Sequence, residues 1–431
     1  MKYRSMKKCI IGSVVASMMA VTAFSQSGTN SPYSQYGLGI LSDQSQSFSR
    51  GMNGVGLGLR KGNVVNTLNP ASYSAVDSLT MMFDVALSGQ ISNFKEGGKR
   101  INAKNADFEY AVGLFRLMPH VGVSFGVLPY SNVGYQYSST RSLENSSITM
   151  TDTYSGDGGA HQVFVGAGWR IFKPLSIGFN AAYLWGSFSR GFTSVGSESQ
   201  VLTVSKIYSV DVSSYKLDAG LQWQQPISKK DELVLGLTLG LGHKLGADPL
   251  CVINTTDAST SVSRSDTLHA GNALELPMSY GVGLSWVHGN KFFVGADVTV
   301  QKWGSVSYPG EVDDKYVGRT DLMKDSYKAT LGADYVPNPV SRRFLHRVHY
   351  KVGAGYATPY YKINGKDGPK ELSLSAGFGI HLQNAYNNRS QLNVSAQWVR
   401  SSAKDMITDN TFRITVGLTF NERWFAKWKI D

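Results

Sequence analysis

Cysteine is nearly absent from this 431-residue chain: only Cys9 and Cys251 are present. Cys9 falls inside an export leader, so a single thiol is left in the mature protein and no internal disulfide can form. Charge is also scarce, with Asp, Glu, Lys and Arg making up 17% of the residues. No Pro/Ser linker, charge block or low-complexity tract divides the chain, so nothing marks a second domain. After the leader no apolar run approaches the ~20 residues of a spanning helix, which excludes a helical membrane protein. Four of the positive charges behind the formal +11 lie in the leader, so the mature excess is modest and does not call for nucleic acid as a partner.

The leader itself is plain. Lys2, Arg4, Lys7 and Lys8 precede the mostly apolar stretch Ile10 to Phe24, and Ala23-Phe24-Ser25 offers small residues for cleavage before Gln26. Residues 1–25 therefore read as a signal peptide. Cys9 precedes the apolar run, where a lipoprotein cysteine would follow it.

What the mature chain does contain is alternation, from about Leu79 to Phe420. Leu233, Leu235, Leu237, Leu239 and Leu241 include Gly236, Thr238 and Gly240 between them, and Phe412, Ile414, Val416, Leu418 and Phe420 alternate with Arg413, Thr415, Gly417 and Thr419. A period of two puts the apolar side chains on one face of a strand. The other face is glycine, serine and threonine, too small and too weakly charged for the wet side of a soluble sheet. Large apolar residues outward and small polar ones inward describe an outer-membrane barrel, closed because an open edge in lipid leaves backbone groups unpaired. The expected fold class is all-β: a transmembrane antiparallel β-barrel of about fourteen strands over residues 79–420.

Short connections at Met118 to His120, Phe172 to Pro174, Ser228 to Asp231 and His288 to Asn290 alternate with longer polar ones at Lys95 to Asp107, Gly191 to Gln200, Gly246 to Glu275 and Gly304 to Lys324. Short periplasmic turns and long outer loops place both termini in the periplasm. The rings of Tyr130, Tyr135, Tyr137, Trp169, Trp185, Trp223, Trp286, Trp303, Tyr360 and Tyr361 fall near strand ends and are expected to form interfacial girdles.

Residues 26–78 do not alternate. Gly51, Gly54, Gly56, Gly58 and Gly62 crowd ahead of Asn69-Pro70-Ala71 and Asp77. Glycine at that density favours tight turns and close backbone approach, so the stretch needs a wall around it and reads as a luminal plug. Its candidate gating or ligand-binding residues are Gly51, Gly54, Gly56, Gly58, Asn69, Pro70 and Ala71. The lumen is expected to carry Glu109, Lys216, Asp218, Asp297, Lys328, Asp334 and Arg413, pairing across the barrel or holding the plug.

No catalytic set emerges. The eight histidines lack carboxylates or cysteines at ligand spacing, and His346 and His349 would point to opposite faces of a strand, so no metal or other cofactor is implied. No Ser/His/Asp arrangement suggests an enzyme. Three other stretches read as partner contacts: Tyr33 and Tyr36 in SPYSQYG, Arg342 and Arg343 in the basic turn 337–347, and Trp424 and Trp428 in the tail 421–431.

The glycine-rich run, Asn69-Pro70-Ala71 and the strand plan together resemble the long-chain fatty-acid transporter (FadL-like) superfamily. That resemblance implies a fourteen-stranded barrel with an N-terminal luminal hatch and passive uptake of hydrophobic small molecules across the outer membrane of a Gram-negative bacterium. Implied surroundings are outer-membrane lipid and lipopolysaccharide. The SPYSQYG element, the basic turn and the Trp-rich tail support an alternative: an accessory barrel subunit of an assembly or secretion machine (barrel assembly or type IX secretion), with protein partners.

Overall fold

A computed structural model describes residues 28–423, apart from positions 79, 144–145, 199, 314, 340 and 383–389. Fourteen antiparallel strands form the wall: β1 (Thr80–Glu96), β2 (Lys99–Met118), β3 (Val121–Ser142), β4 (Thr149–Arg170), β5 (Leu175–Gly196), β6 (Thr203–Pro226), β7 (Asp231–Gly240), β8 (Ser279–His288), β9 (Phe292–Gln301), β10 (Ser326–Tyr335), β11 (His349–Ala357), β12 (Lys370–Leu382), β13 (Ser390–Ser402) and β14 (Thr408–Arg423). Each pairs with its neighbour in sequence, and β14 closes on β1 from Thr80↔Arg423 to Lys95↔Thr408.

The sheet faces the way its alternation predicts. Val282, Leu331, Phe378 and Ile414 are exposed on the outside, whereas Ser124, Gln222 and Ser285 are buried inside. An apolar residue held outward is stable only where its solvent is hydrocarbon. No described helix is long and apolar enough to cross a membrane.

The wall is uneven. β3 to β6 run for 22 to 24 residues, while β7 to β10 have 10 each. Strands extend where loops were expected: β1 and β2 continue through Glu96 and Lys99, and β5 runs to Gly196. The polar stretch Lys99 to Asp107 pairs with β1 above the apolar band, where neither face needs to be apolar. The long connection after β7 contains the hairpin Leu250–Asp257/Val262–His269, which pairs with β6 from Thr203 to Ser209.

One seam of the wall is open. β2 pairs with β3 only between Ala111↔Val127 and Met118↔Val121, with an irregularity between Arg116 and Met118. Beyond Val127 the partner of β3 on that side is the short strand Ile40–Leu41, set opposite Asn132 and Ser131.

The core lies inside the barrel. Phe48, Met52, Val55, Leu59 and Val64 pack with Phe293, and Val65, Tyr73 and Val76 pack with Met82, Tyr110 and Leu114. A third cluster joins Tyr33 and Leu38 to Tyr130, Tyr135, Trp303, Tyr360 and Tyr361, with Tyr137 partly buried against it. The expected girdle therefore needs correction for these six rings, which turn inward to meet the N-terminal segment. Trp169, Trp223 and Trp286 do face outward.

Candidate functional site

The segment from Gly28 to Asp77 supplies one side of most contacts in the lumen described below. Its geometry starts at Asn69-Pro70. Pro70 has no N–H to lose at the first position of the short 3-10 helix Pro70–Ala75, and Asn69 sits extended before it (φ −136°). The Asn69 side chain accepts from the Ala71 N–H at 3.1 Å as an N-cap. Its amide also donates to the Leu57 carbonyl at 2.9 Å and the Leu221 carbonyl of β6 at 3.1 Å. One side chain thus ties the helix start to the glycine run and to the wall.

The glycine run works by close approach. Gly56 and Leu57 donate their N–H groups to Asp297 Oδ2 at 2.7 and 2.9 Å. The Gly58 carbonyl accepts from Ser285 Oγ at 2.7 Å, and the Gly51 carbonyl from Ser375 Oγ at 3.0 Å. Gly54 turns the chain at φ +80°, a conformation side chains resist. The wall reciprocates with its own glycines. A Cβ on Gly332 would lie 2.6 Å from the Met52 carbonyl, one on Gly220 2.7 Å from Pro70 Cδ, and one on Gly236 would overlap the Leu57 carbonyl.

Charge locks the same segment. Arg50, 4% exposed, donates to Glu109 at 2.9 Å and to the Ser45 carbonyl at 3.0 Å, with Asp43 at 3.7 Å. Burial alone would raise the Asp43 carboxyl, but Arg50 and Lys328 hold it well below the usual carboxylate range. Lys61 reaches Asp334 at 3.1 Å, and His349 Nδ1 lies 2.9 Å from the same carboxylate.

The predicted luminal charges do not form one site. Glu109, Asp297, Lys328 and Arg413 line a single chamber of about 410 Å³, where Arg413 donates to Gln90 at 2.9 Å. Lys216 and Asp218 pair with each other beside a second cavity of about 210 Å³. Asp334 lies apart from both, with Lys61. Arg50 was not singled out from sequence, although it is the one charged residue between Asp43 and Arg60.

The partner-contact candidates are scattered. Tyr33 is 5% exposed and donates its hydroxyl to the Ile407 carbonyl, while Tyr36 stacks on Tyr361 with ring centroids 5.3 Å apart. Both rings therefore pack within the chain. Ser34 Oγ donates to the Gly134 carbonyl at 3.3 Å and accepts the Gly134 N–H at 3.1 Å, and Asn30 donates to the Lys104 carbonyl at 3.4 Å. Side chains of residues 30–34 thus reach both edges of the open seam. Arg342 and Arg343 are exposed on the turn between β10 and β11, beside the short helix Phe344–Arg347. Trp424 and Trp428 lie outside the described residues.

Comparison with solved structures gives the same architecture at low identity. A Pseudomonas aeruginosa FadL homologue is 11% identical with a TM-score of 0.62, over 88% of this chain and 99% of that one. The Ralstonia pickettii toluene transporter TbuX is 13% identical with a TM-score of 0.60, over 89% and 99%. The Pseudomonas putida toluene transporter TodX is 15% identical with a TM-score of 0.60, over 89% and 100%. The chain thus has the fold of FadL-type outer-membrane channels. No curated protein matches it. The BamG family model matches residues 6–431, essentially the whole sequence, and the chain belongs to the BamG family.

Proposed function

We propose that this outer-membrane barrel is a non-enzymatic, non-conducting accessory subunit of an outer-membrane assembly or secretion machine. The observation that carries this reading is a lumen occupied at two levels by the protein's own chain. Residues 45–77 are hydrogen-bonded to β1, β2, β5, β6, β8, β9, β10, β12 and β13 at one level, and the Tyr33 and Leu38 cluster fills the next. The two chambers left between them, of about 410 and 210 Å³, both carry charged side chains, among them Glu109, Asp297, Lys328 and Arg413 in the first and Lys216 and Asp218 in the second. Membership of the BamG family supports a role within a complex.

In this reading residues 26–78 are a structural plug, Gly51 to Ala71 its fixed points, and both termini face the periplasm. Arg342 and Arg343 are then surfaces for protein partners. The test is affinity purification from native outer membranes in mild detergent. The reading expects a stoichiometric complex that survives exchange into a second detergent; a monodisperse single barrel under the same conditions overturns it.

A second reading, passive uptake of hydrophobic small molecules, has its own support. The unpaired stretch between β2 and β3 is an opening in the wall, and the solved neighbours are described as toluene and monoaromatic hydrocarbon channels. Here residues 28–42 would be the gate. Flux of toluene into liposomes that depends on the protein would favour it.

A further inference from the structure

The positive charge of the mature chain is not spread evenly around the rim. Register places Ile91, Phe412, Trp398 and Lys104 in one outward-facing row across β1, β14, β13 and β2. Ile91 and Phe412 are half-exposed and end the apolar band there. Two residues further out, Arg400, Asn410, Asn93 and Asn102 form the next outward row, and two residues beyond that stand Lys95 and Arg100. Lys95, Arg100, Lys104 and Arg400 are all exposed, and none has a carboxylate within salt-bridge distance among the described residues. Lys95, Arg100 and Arg400 line one open groove of about 590 Å³, which Glu96 and Asp405 also border, so the groove keeps a net excess of one positive charge and Lys104 adds to it from the row below.

Exposed positions on β4 and β6 carry Asp157 and Asp211 instead. Three cations above the lipid-facing rings of Phe412 and Trp398, a fourth level with them and carboxamides between match a phosphorylated headgroup whose acyl chains lie against those rings. Guanidinium and ammonium groups bind phosphate oxygens through charge-assisted hydrogen bonds, and each basic residue at a membrane surface adds to the attraction.

We propose that the outward face of β13, β14, β1 and β2 binds the phosphates of an outer-leaflet glycolipid through Lys95, Arg100, Lys104 and Arg400. The site is independent of what the lumen does, and rests only on the long loops facing outward. It also borders the unpaired edge of β2, so a bound glycolipid stands beside the open seam.

The probe is lipid A, a phosphorylated glucosamine disaccharide carrying acyl chains, against its enzymatically dephosphorylated form. Each is presented in phosphatidylcholine nanodiscs holding the full-length barrel, with retention read by native mass spectrometry. The wild type is expected to retain the phosphorylated form about tenfold better. The quadruple variant Lys95→Gln, Arg100→Gln, Lys104→Gln, Arg400→Gln should lose that preference while keeping the gel shift of a folded barrel. Because four changes could disturb folding, Arg100→Gln alone, at the exposed hairpin tip, should cost roughly two- to threefold. Equal retention of both forms, or a preference untouched in the variants, overturns the proposal. So does displacement by millimolar inorganic phosphate, which would mark a simple anion site. Loss of a co-purifying protein in the variant with lipid A retention unchanged would assign the patch to that protein instead.

Discussion

Replacing Asn69 by alanine removes more than one hydrogen bond from the plug. The side chain accepts from Ala71 N and donates to the carbonyls of Leu57 and Leu221, at 3.1, 2.9 and 3.1 Å. Asn69 is fully buried, so no water takes its place for the Ala71 N–H. A buried group left unsatisfied costs about 1–3 kcal/mol; all three partners lose their Asn69 bond, and the Leu57 carbonyl keeps a second donor, Gln222 at 3.0 Å. Loss of the N-cap alone accounts for about 1 kcal/mol. Together these predict local destabilisation of roughly 3 kcal/mol, or about a hundredfold faster opening of the segment. Hydrogen exchange resolved by peptide is the assay. Amides of residues 56–76 should exchange about a hundredfold faster in Asn69→Ala, while those of β12 to β14 should not change. Asn69→Asp keeps the cap acceptor but sets a carboxylate oxygen against the Leu57 and Leu221 carbonyls in a buried site, so it should be no milder than Asn69→Ala. Unchanged exchange in Asn69→Ala would refute the view that this side chain ties plug to wall.

Three further outcomes follow from the same contacts. Arg50→Ala leaves Glu109 charged and buried, and should destabilise the folded barrel by about 3–5 kcal/mol in urea titration; adding Glu109→Gln should recover part of that loss. Gly236→Val drives a side chain into the Leu57 carbonyl, so the segment must shift at a cost of about 1–3 kcal/mol, seen as faster exchange over residues 55–60. Leu41→Cys with Ser131→Cys, opposite one another across an antiparallel pair, should form a disulfide on mild oxidation without disturbing the barrel's gel shift. Failure to cross-link would mean that Ile40–Leu41 does not lie along β3.

The barrel was legible because a period of two is a local property. Leu233 to Leu241 shows which residues share a face, and the small size of Gly236 and Thr238 shows which side is crowded. Asn69-Pro70-Ala71 was legible for a similar reason, since capping and the missing N–H act within three residues. Lys99 to Asp107 was not, because above the lipid both faces of β2 are wet and the period disappears from composition. Trp303 and Tyr360 read as girdle residues because a ring near a strand end can turn either way. What turns them inward is Leu38 and Tyr33, some three hundred residues away in sequence. Arg50 and Glu109 meet across the lumen, a pairing that no local pattern encodes.

The most direct test of the filled lumen is flux. Purified protein in liposomes, challenged with toluene and with a small fluorescent ion, should let neither in faster than protein-free liposomes do. A protein-dependent entry of toluene that is abolished by oxidising the Leu41→Cys, Ser131→Cys double variant would contradict the account: residues 28–42 would then be a gate, and the barrel a channel.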